Sequence, residues 1–110
     1  MVAIVQDIVI EVGSTFTRDI TLTNSQGDPL DVSGMTANAA IALDVYANTV
    51  LAVFETNLTA GMLTLRMEAN DTLILVPGIY IYDATISNGQ DTFRIAEGLV
   101  QVDGGVSGVI

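Results

Sequence analysis

The stretch Tyr82–Arg94, YDATISNGQDTFR, sets Asn88-Gly89 between two alternating runs. Asn-Gly flanked by alternation is a strong hairpin signal, because both residues tolerate the positive φ that a two-residue type I′ turn requires. Such a turn pairs Ser87 with Gln90, Thr85 with Thr92 and Asp83 with Arg94, and on the other face Tyr82 with Ile95 and Ala84 with Phe93. One face is then apolar, and the other carries a threonine pair and the Asp83–Arg94 pair. Opposite charges facing each other across a sheet contribute roughly 0.2–1 kcal/mol. A one-residue slip would send every side chain to the wrong face. Asp83 and Arg94 therefore read as a structural pair bracing the register. A catalytic reading needs a nucleophile or a second acid beside them, and the sequence places none there.

Outward from this hairpin, period-2 patterning continues. FTRDITLTN puts Phe16, Arg18, Ile20 and Leu22 on one face and Thr17, Asp19, Thr21 and Thr23 on the other. MLTLRME sets Leu63, Leu65 and Met67 against Thr64 and Arg66. Between Met35 and Phe54 the alanines suit a helix, but the alternation of Met35, Ala37, Ala39, Ile41 and Leu43 predicts two strands with a turn near 44–48. Asn70 or Asp71 is placed to cap one short helical turn near 70–76, ended by Pro77-Gly78. The expectation is an all-β antiparallel sandwich, immunoglobulin-like or similar, of seven or eight short strands. Residues 1–11 form an apolar strand or arm, 12–103 the sandwich and 104–110 a flexible tail.

Composition narrows the function. The chain has no histidine and no cysteine, which removes the commonest general base and the thiolate ligands. Three arginines and no lysine stand against 13 acidic residues, a net charge of -10. Nucleic acid and anionic membrane are thereby disfavoured as partners. Half of the residues are hydrophobic, and a domain this small buries only about 60–70% of its unfolded surface. Some apolar residues must stay exposed or be covered by other chains, which points to assembly. The N-terminal run lacks a basic segment and is interrupted by Asp7 and Glu11, so it does not read as a signal peptide.

Sites for chemistry are sparse. Gly27–Asp31 (GDPLD) and Asp103 offer carboxylates without the spacing of a calcium loop, and Gly13–Thr17 is too short for a phosphate loop. No catalytic, cofactor or metal residues are expected. Tyr46, Tyr80 and Tyr82 are the candidates for a glycan-binding face, although Tyr80 and Tyr82 share one face of a strand, beside Phe93 on the next, where core packing accounts for them better. Arg18, on the apolar face of its strand, reads either as a buried partner of an acid or as an interface anchor.

The series VPGIYIYDATISNGQDTFRIAEGLVQV, with GSTFTRDITLTNSQGDPLDVSGMTA before it, resembles the N-terminal β-sandwich domain of tailed-phage baseplate upper proteins. The resemblance spans roughly Val12 to Val102 and rests mainly on turn and hairpin motifs. It implies a non-enzymatic virion structural protein, with other virion proteins and copies of itself as partners. Those proteins continue into a helical linker and further domains, whereas this sequence ends at Ile110. The expectation is therefore an accessory subunit that docks on the capsid as decoration or cement, or on the tail or baseplate. Val2, Ile4, Val5, Val106, Val109 and Ile110 are the candidate docking residues, acting by strand addition and apolar contact. The alternative is a host-surface or glycan-binding adhesion module.

Overall fold

Alternation becomes strand wherever one face can be buried. In the computed structural model, which describes residues 4–43 and 50–104, β3 (Phe16–Thr21) buries Ile20 and turns Thr17, Asp19 and Thr21 to solvent. β7 (Met62–Met67) buries Leu63, Leu65 and Met67 against it. With β6 (Glu55–Thr59) these strands form an antiparallel sheet in the order β3-β7-β6. The second sheet contains β1 (Ile4–Val5), β2 (Ile8–Glu11), β4 (Thr36–Ala42), β5 (Val50–Val53), β8 (Gly78–Ser87) and β9 (Thr92–Asp103). Its order is β1-β9-β8-β4-β5, with β2 also on β9. The protein is an all-β sandwich, and nine strands lie among the described residues.

The two sheets enclose one core. Ile8, Ile10, Ile41, Ile86, Ile95 and Val100 come from the large sheet, and Ile20, Leu63 and Leu65 from the small one. Phe54 is the hinge of the sandwich. It is buried, donates its N–H to the Ala39 carbonyl at 2.9 Å, and carries the chain from β5 in one sheet to β6 in the other. Its ring lies 5.7 Å from Phe16 and 6.3 Å, edge-on, from Tyr82, spacings that favour aromatic contact. Thr36–Ala42 and Val50–Val53 are strands, as the alternation predicts, and the expected turn near 44–48 lies outside the described residues; β4 buries Ala39 and Ile41, whose neighbours on β8 are Ala84 and Tyr82.

Four expectations are corrected. The N-terminal strands run parallel to β9, so the large sheet is mixed rather than purely antiparallel. The sandwich begins before Val12: of the segment expected as an apolar strand or arm, Ile8–Glu11 form strand β2, and Ile8 and Ile10 are 2% and 0% exposed within the core. The helical turn is α1 (Ala69–Thr72), with Glu68 rather than Asn70 or Asp71 at its N-cap position and no side chain capping it. Its anchor is Thr72, fully buried, whose hydroxyl accepts the Gly13 N–H at 3.0 Å and reaches the Ser14 carbonyl at 2.8 Å.

The hairpin loop is the fourth correction. Ser87 pairs with Thr92, leaving a four-residue loop, 88–91. The Asn88 side chain shapes it by accepting the Gln90 and Asp91 N–H groups at 2.9 and 2.7 Å, the usual way an Asn folds a turn about itself. Gly89 supplies the positive φ, +96°. Further along, Thr85 pairs with Arg94 and Ala84 with Ala96, so Ile95 is a bulge residue. Both Ile95 and Ala96 are buried, as expected where two residues oppose one. Asp83 consequently faces Glu97, Tyr82 faces Gly98, and Phe93 stands opposite Ile86 at the partly exposed end of the sheet.

Candidate functional site

The outer face of the large sheet is where the charged and apolar residues singled out above meet. Leu99, Ile81, Ala42 and Val50 form one row across β9, β8, β4 and β5. Glu97, Asp83, Ala40 and Val53 form the next. Together with Val5 on β1, and without Val53, they line an open groove of about 680 Å³. Ala40 and Ala42 supply short side chains at the floor, between longer walls on either side. Leu99 and Val50 are about half exposed, and beyond them Val9 and Ile79 extend the apolar surface. Contiguous exposed apolar area with a polar rim is characteristic of interaction surfaces.

Asp83 and Arg94 do form an ion pair, but diagonally. The four-residue loop sets Arg94 opposite Thr85 rather than Asp83, and its Nε lies 3.5 Å from Asp83 Oδ2 while a terminal nitrogen lies 3.4 Å from Glu97 Oε1. The guanidinium therefore bridges two carboxylates that stand directly opposite each other. Asp19, by contrast, faces Thr64 and accepts its hydroxyl at 2.7 Å. The two carboxylates and the guanidinium are all about half exposed, so each keeps much of its hydration.

One edge of the groove is built on Gly98. A Cβ there would lie 2.4 Å from the Gln6 carbonyl oxygen and 2.9 Å from Asp7 Oδ1. Only glycine admits the break between β1 and β2 at this place. Asp7 accepts the Leu99 N–H at 2.9 Å, and the Tyr82 hydroxyl donates to the Gln6 carbonyl. Burial pushes the Tyr82 hydroxyl above its ordinary pKa; nearby Arg18 works against this and Asp7 with it. Arg18 is partly buried beside Tyr82 and forms no ion pair among the described residues.

Of the candidate docking residues, Ile4 and Val5 lie in β1 on the edge of the large sheet, 42% and 73% exposed. Val2, Val106, Val109 and Ile110 lie outside the described residues, as does Tyr46. Tyr82 is buried, and the Tyr80 hydroxyl donates to the Val76 carbonyl at 2.6 Å. The two therefore form no exposed aromatic platform. In the GDPLD turn one carboxylate serves its own backbone: Asp31 Oδ1 accepts the Ser33 N–H at 3.0 Å, which holds that carboxyl below its usual range. The apolar outer face was not anticipated. Its signal is that IYIY is apolar at every position rather than at alternate ones, the pattern of a strand covered on both faces.

No family model and no curated protein matches the chain. Among solved structures it is similar to part of an endo-fucoidan hydrolase of glycoside hydrolase family 107, with TM-score 0.56 and 13% identity over 93% of this chain. The chain spans only 13% of that protein's length, and the likeness concerns the fold alone. Similarity also extends to the M1 domain from titin, with TM-score 0.49 and 15% identity over 100% of this chain and 97% of that one. For the Lin-41 filamin domain the TM-score is 0.48 at 15% identity, over 88% of this chain and 84% of that one.

Proposed function

We propose that the protein is a non-enzymatic structural subunit of a tailed-phage virion, docking as an accessory on the capsid, tail or baseplate. The virion part of this reading rests on the sequence resemblance. The docking part is supported by the sheet edges. β3 carries Arg18 and Asp19, and β6 carries Glu55 and Asn57, charged or polar residues of the kind that blunt an edge against unwanted pairing. β5, Val-Leu-Ala-Val, has no such residue, and Val50, Leu51 and Val53 are 55%, 42% and 65% exposed. An unblunted apolar edge beside an apolar face is the observation that carries the reading. It offers a neighbour both backbone pairing and side-chain burial.

Mass spectrometry of purified, density-banded phage particles from the source of this sequence tests the virion reading. Peptides of the chain should appear in the particle at a fixed ratio to the major capsid protein. Their confinement to the soluble fraction would remove the virion assignment. An adhesion module built on tyrosines is not favoured, since Tyr82 is buried and Tyr80 is tied to its own loop.

A further inference from the structure

We infer that the outer face of the large sheet docks a cationic partner protein, one whose apolar contact strip is flanked on both sides by lysine or arginine. The inference deepens the docking part of the reading above and rests on it. The apolar strip runs through Leu99 and Ile81 to Val9 and Ile79, which flank Gln101, and carboxylates stand at both of its ends. At one end Asp83 faces Glu97. At the other, Glu11 of β2 faces Asp103 of β9. At about 3.3 Å per residue, the span from Glu97 to Asp103 is roughly 20 Å.

Two like-charged pairs on one face are a cost to the fold, because like charges directly opposite each other destabilise a sheet. Arg94 offsets the first pair. The second has no cation within ion-pair distance among the described residues; Asp103 takes only the Gln101 side-chain amide, at 2.8 Å. The uncompensated pair at one end of the exposed apolar strip, and the net negative charge left at the other where two carboxylates meet one guanidinium, match the charged rim and apolar centre of a protein interface. It also selects the occupant. A second copy of this chain would set carboxylates against carboxylates and bring a further net charge of -10. A partner with basic residues about 20 Å apart across an apolar patch meets both ends at once.

The test uses the whole chain, labelled with nitrogen-15, and three capped heptapeptides whose alternate residues share one face and whose ends lie about 20 Å apart when extended: Lys-Ser-Leu-Ser-Leu-Ser-Lys (leucine–lysine), Glu-Ser-Leu-Ser-Leu-Ser-Glu (leucine–glutamate) and Lys-Ser-Ser-Ser-Ser-Ser-Lys (serine–lysine). The leucine–lysine peptide should shift the amide signals of Ile79, Ile81, Leu99 and Gln101. The serine–lysine peptide should bind about tenfold more weakly and the leucine–glutamate peptide not measurably, since both apolar contact and opposite charge are required. Glu11→Gln combined with Asp103→Asn should weaken leucine–lysine binding about tenfold and raise Tm, because a repulsive pair has been removed. Glu97→Gln should weaken binding independently of that pair. Equal binding of the leucine–glutamate peptide would overturn the inference. So would shifts confined to Val50–Val53, or a dimer of the free protein joined through this face. Absence of the chain from phage particles, with leucine–lysine binding intact, would remove the virion assignment and leave this surface standing.

Discussion

Gly98 and Tyr82, cross-strand partners, both meet the Gln6 carbonyl at the junction of β1 and β2, and each makes a separable prediction. A methyl group on Gly98 would meet backbone at Gln6, which cannot swing aside as a flexible side chain can. Gly98→Ala should therefore cost about 1–3 kcal/mol, the usual range for overpacking, read as a lower urea midpoint with an unchanged slope. An unchanged midpoint would mean the junction can move without loss. Tyr82 reports on pH. Its hydroxyl pKa is raised by burial above 10.0, so the folded state holds the proton more tightly than the unfolded chain. That contribution is intact below pH 10.0 and is lost as pH rises through the folded-state pKa. Tyr82→Phe should flatten the alkaline fall in stability. At neutral pH it should cost about 0.5–1.5 kcal/mol for the bond to the Gln6 carbonyl. Denaturation curves at neutral and alkaline pH check both, and parallel alkaline losses in the two proteins would sink the assignment.

Between elements, Arg94 acts across the β8–β9 bulge. Removing its charge leaves Asp83 and Glu97 opposed without a cation between them. Arg94→Gln should lower stability by about 0.5 kcal/mol at low ionic strength, the modest figure expected of half-exposed groups. In 1 M salt, where the screening length is about 3 Å, the difference should vanish. A loss that persists in salt would assign Arg94 a packing role instead. This pair also marks how far the sequence could be read. The hairpin, its Asn-Gly and the two partners were legible because their signals are local. The register was not, since both a four-residue loop and a two-residue turn suit Asn-Gly. The bulge at Ile95 is visible only as two adjacent apolar residues, Ile95 and Ala96, which a simple alternation absorbs. The strand character of 36–42 was legible from its alternation despite its alanines. The parallel pairing of β2 with β9 joins Ile8 to Val100, and nothing near either residue announces so distant a partner. The docking face was hidden for a related reason: apolar residues on both sides of β8 read as core until the outer side is seen to face solvent.

For the whole molecule, the charged rim, the apolar strip and the core depend on the same N-terminal segment. β2 contributes Ile8 and Ile10 inward and Val9 and Glu11 outward, and Val12 closes the ladder by donating its N–H to the Asp103 carbonyl at 2.9 Å. One strand thus completes the interior on one side and the proposed docking surface on the other. If docking belonged to a detachable arm, trimming the N-terminus would abolish binding and leave a folded sandwich. The structure predicts otherwise. Truncating a buried isoleucine to alanine costs about 2–5 kcal/mol, and removing residues 1–11 deletes two of them with their backbone pairing. That loss is comparable to the whole stability of a small domain, about 5–15 kcal/mol. The protein lacking residues 1–11 should lose its cooperative thermal transition. The protein lacking residues 1–3 should keep the transition and bind the leucine–lysine peptide as the full chain does. Circular dichroism melts beside the peptide titration decide it. A 1–11 deletion that melts cooperatively near the parent Tm would return the N-terminus to the status of an arm and detach the docking surface from the fold that presents it.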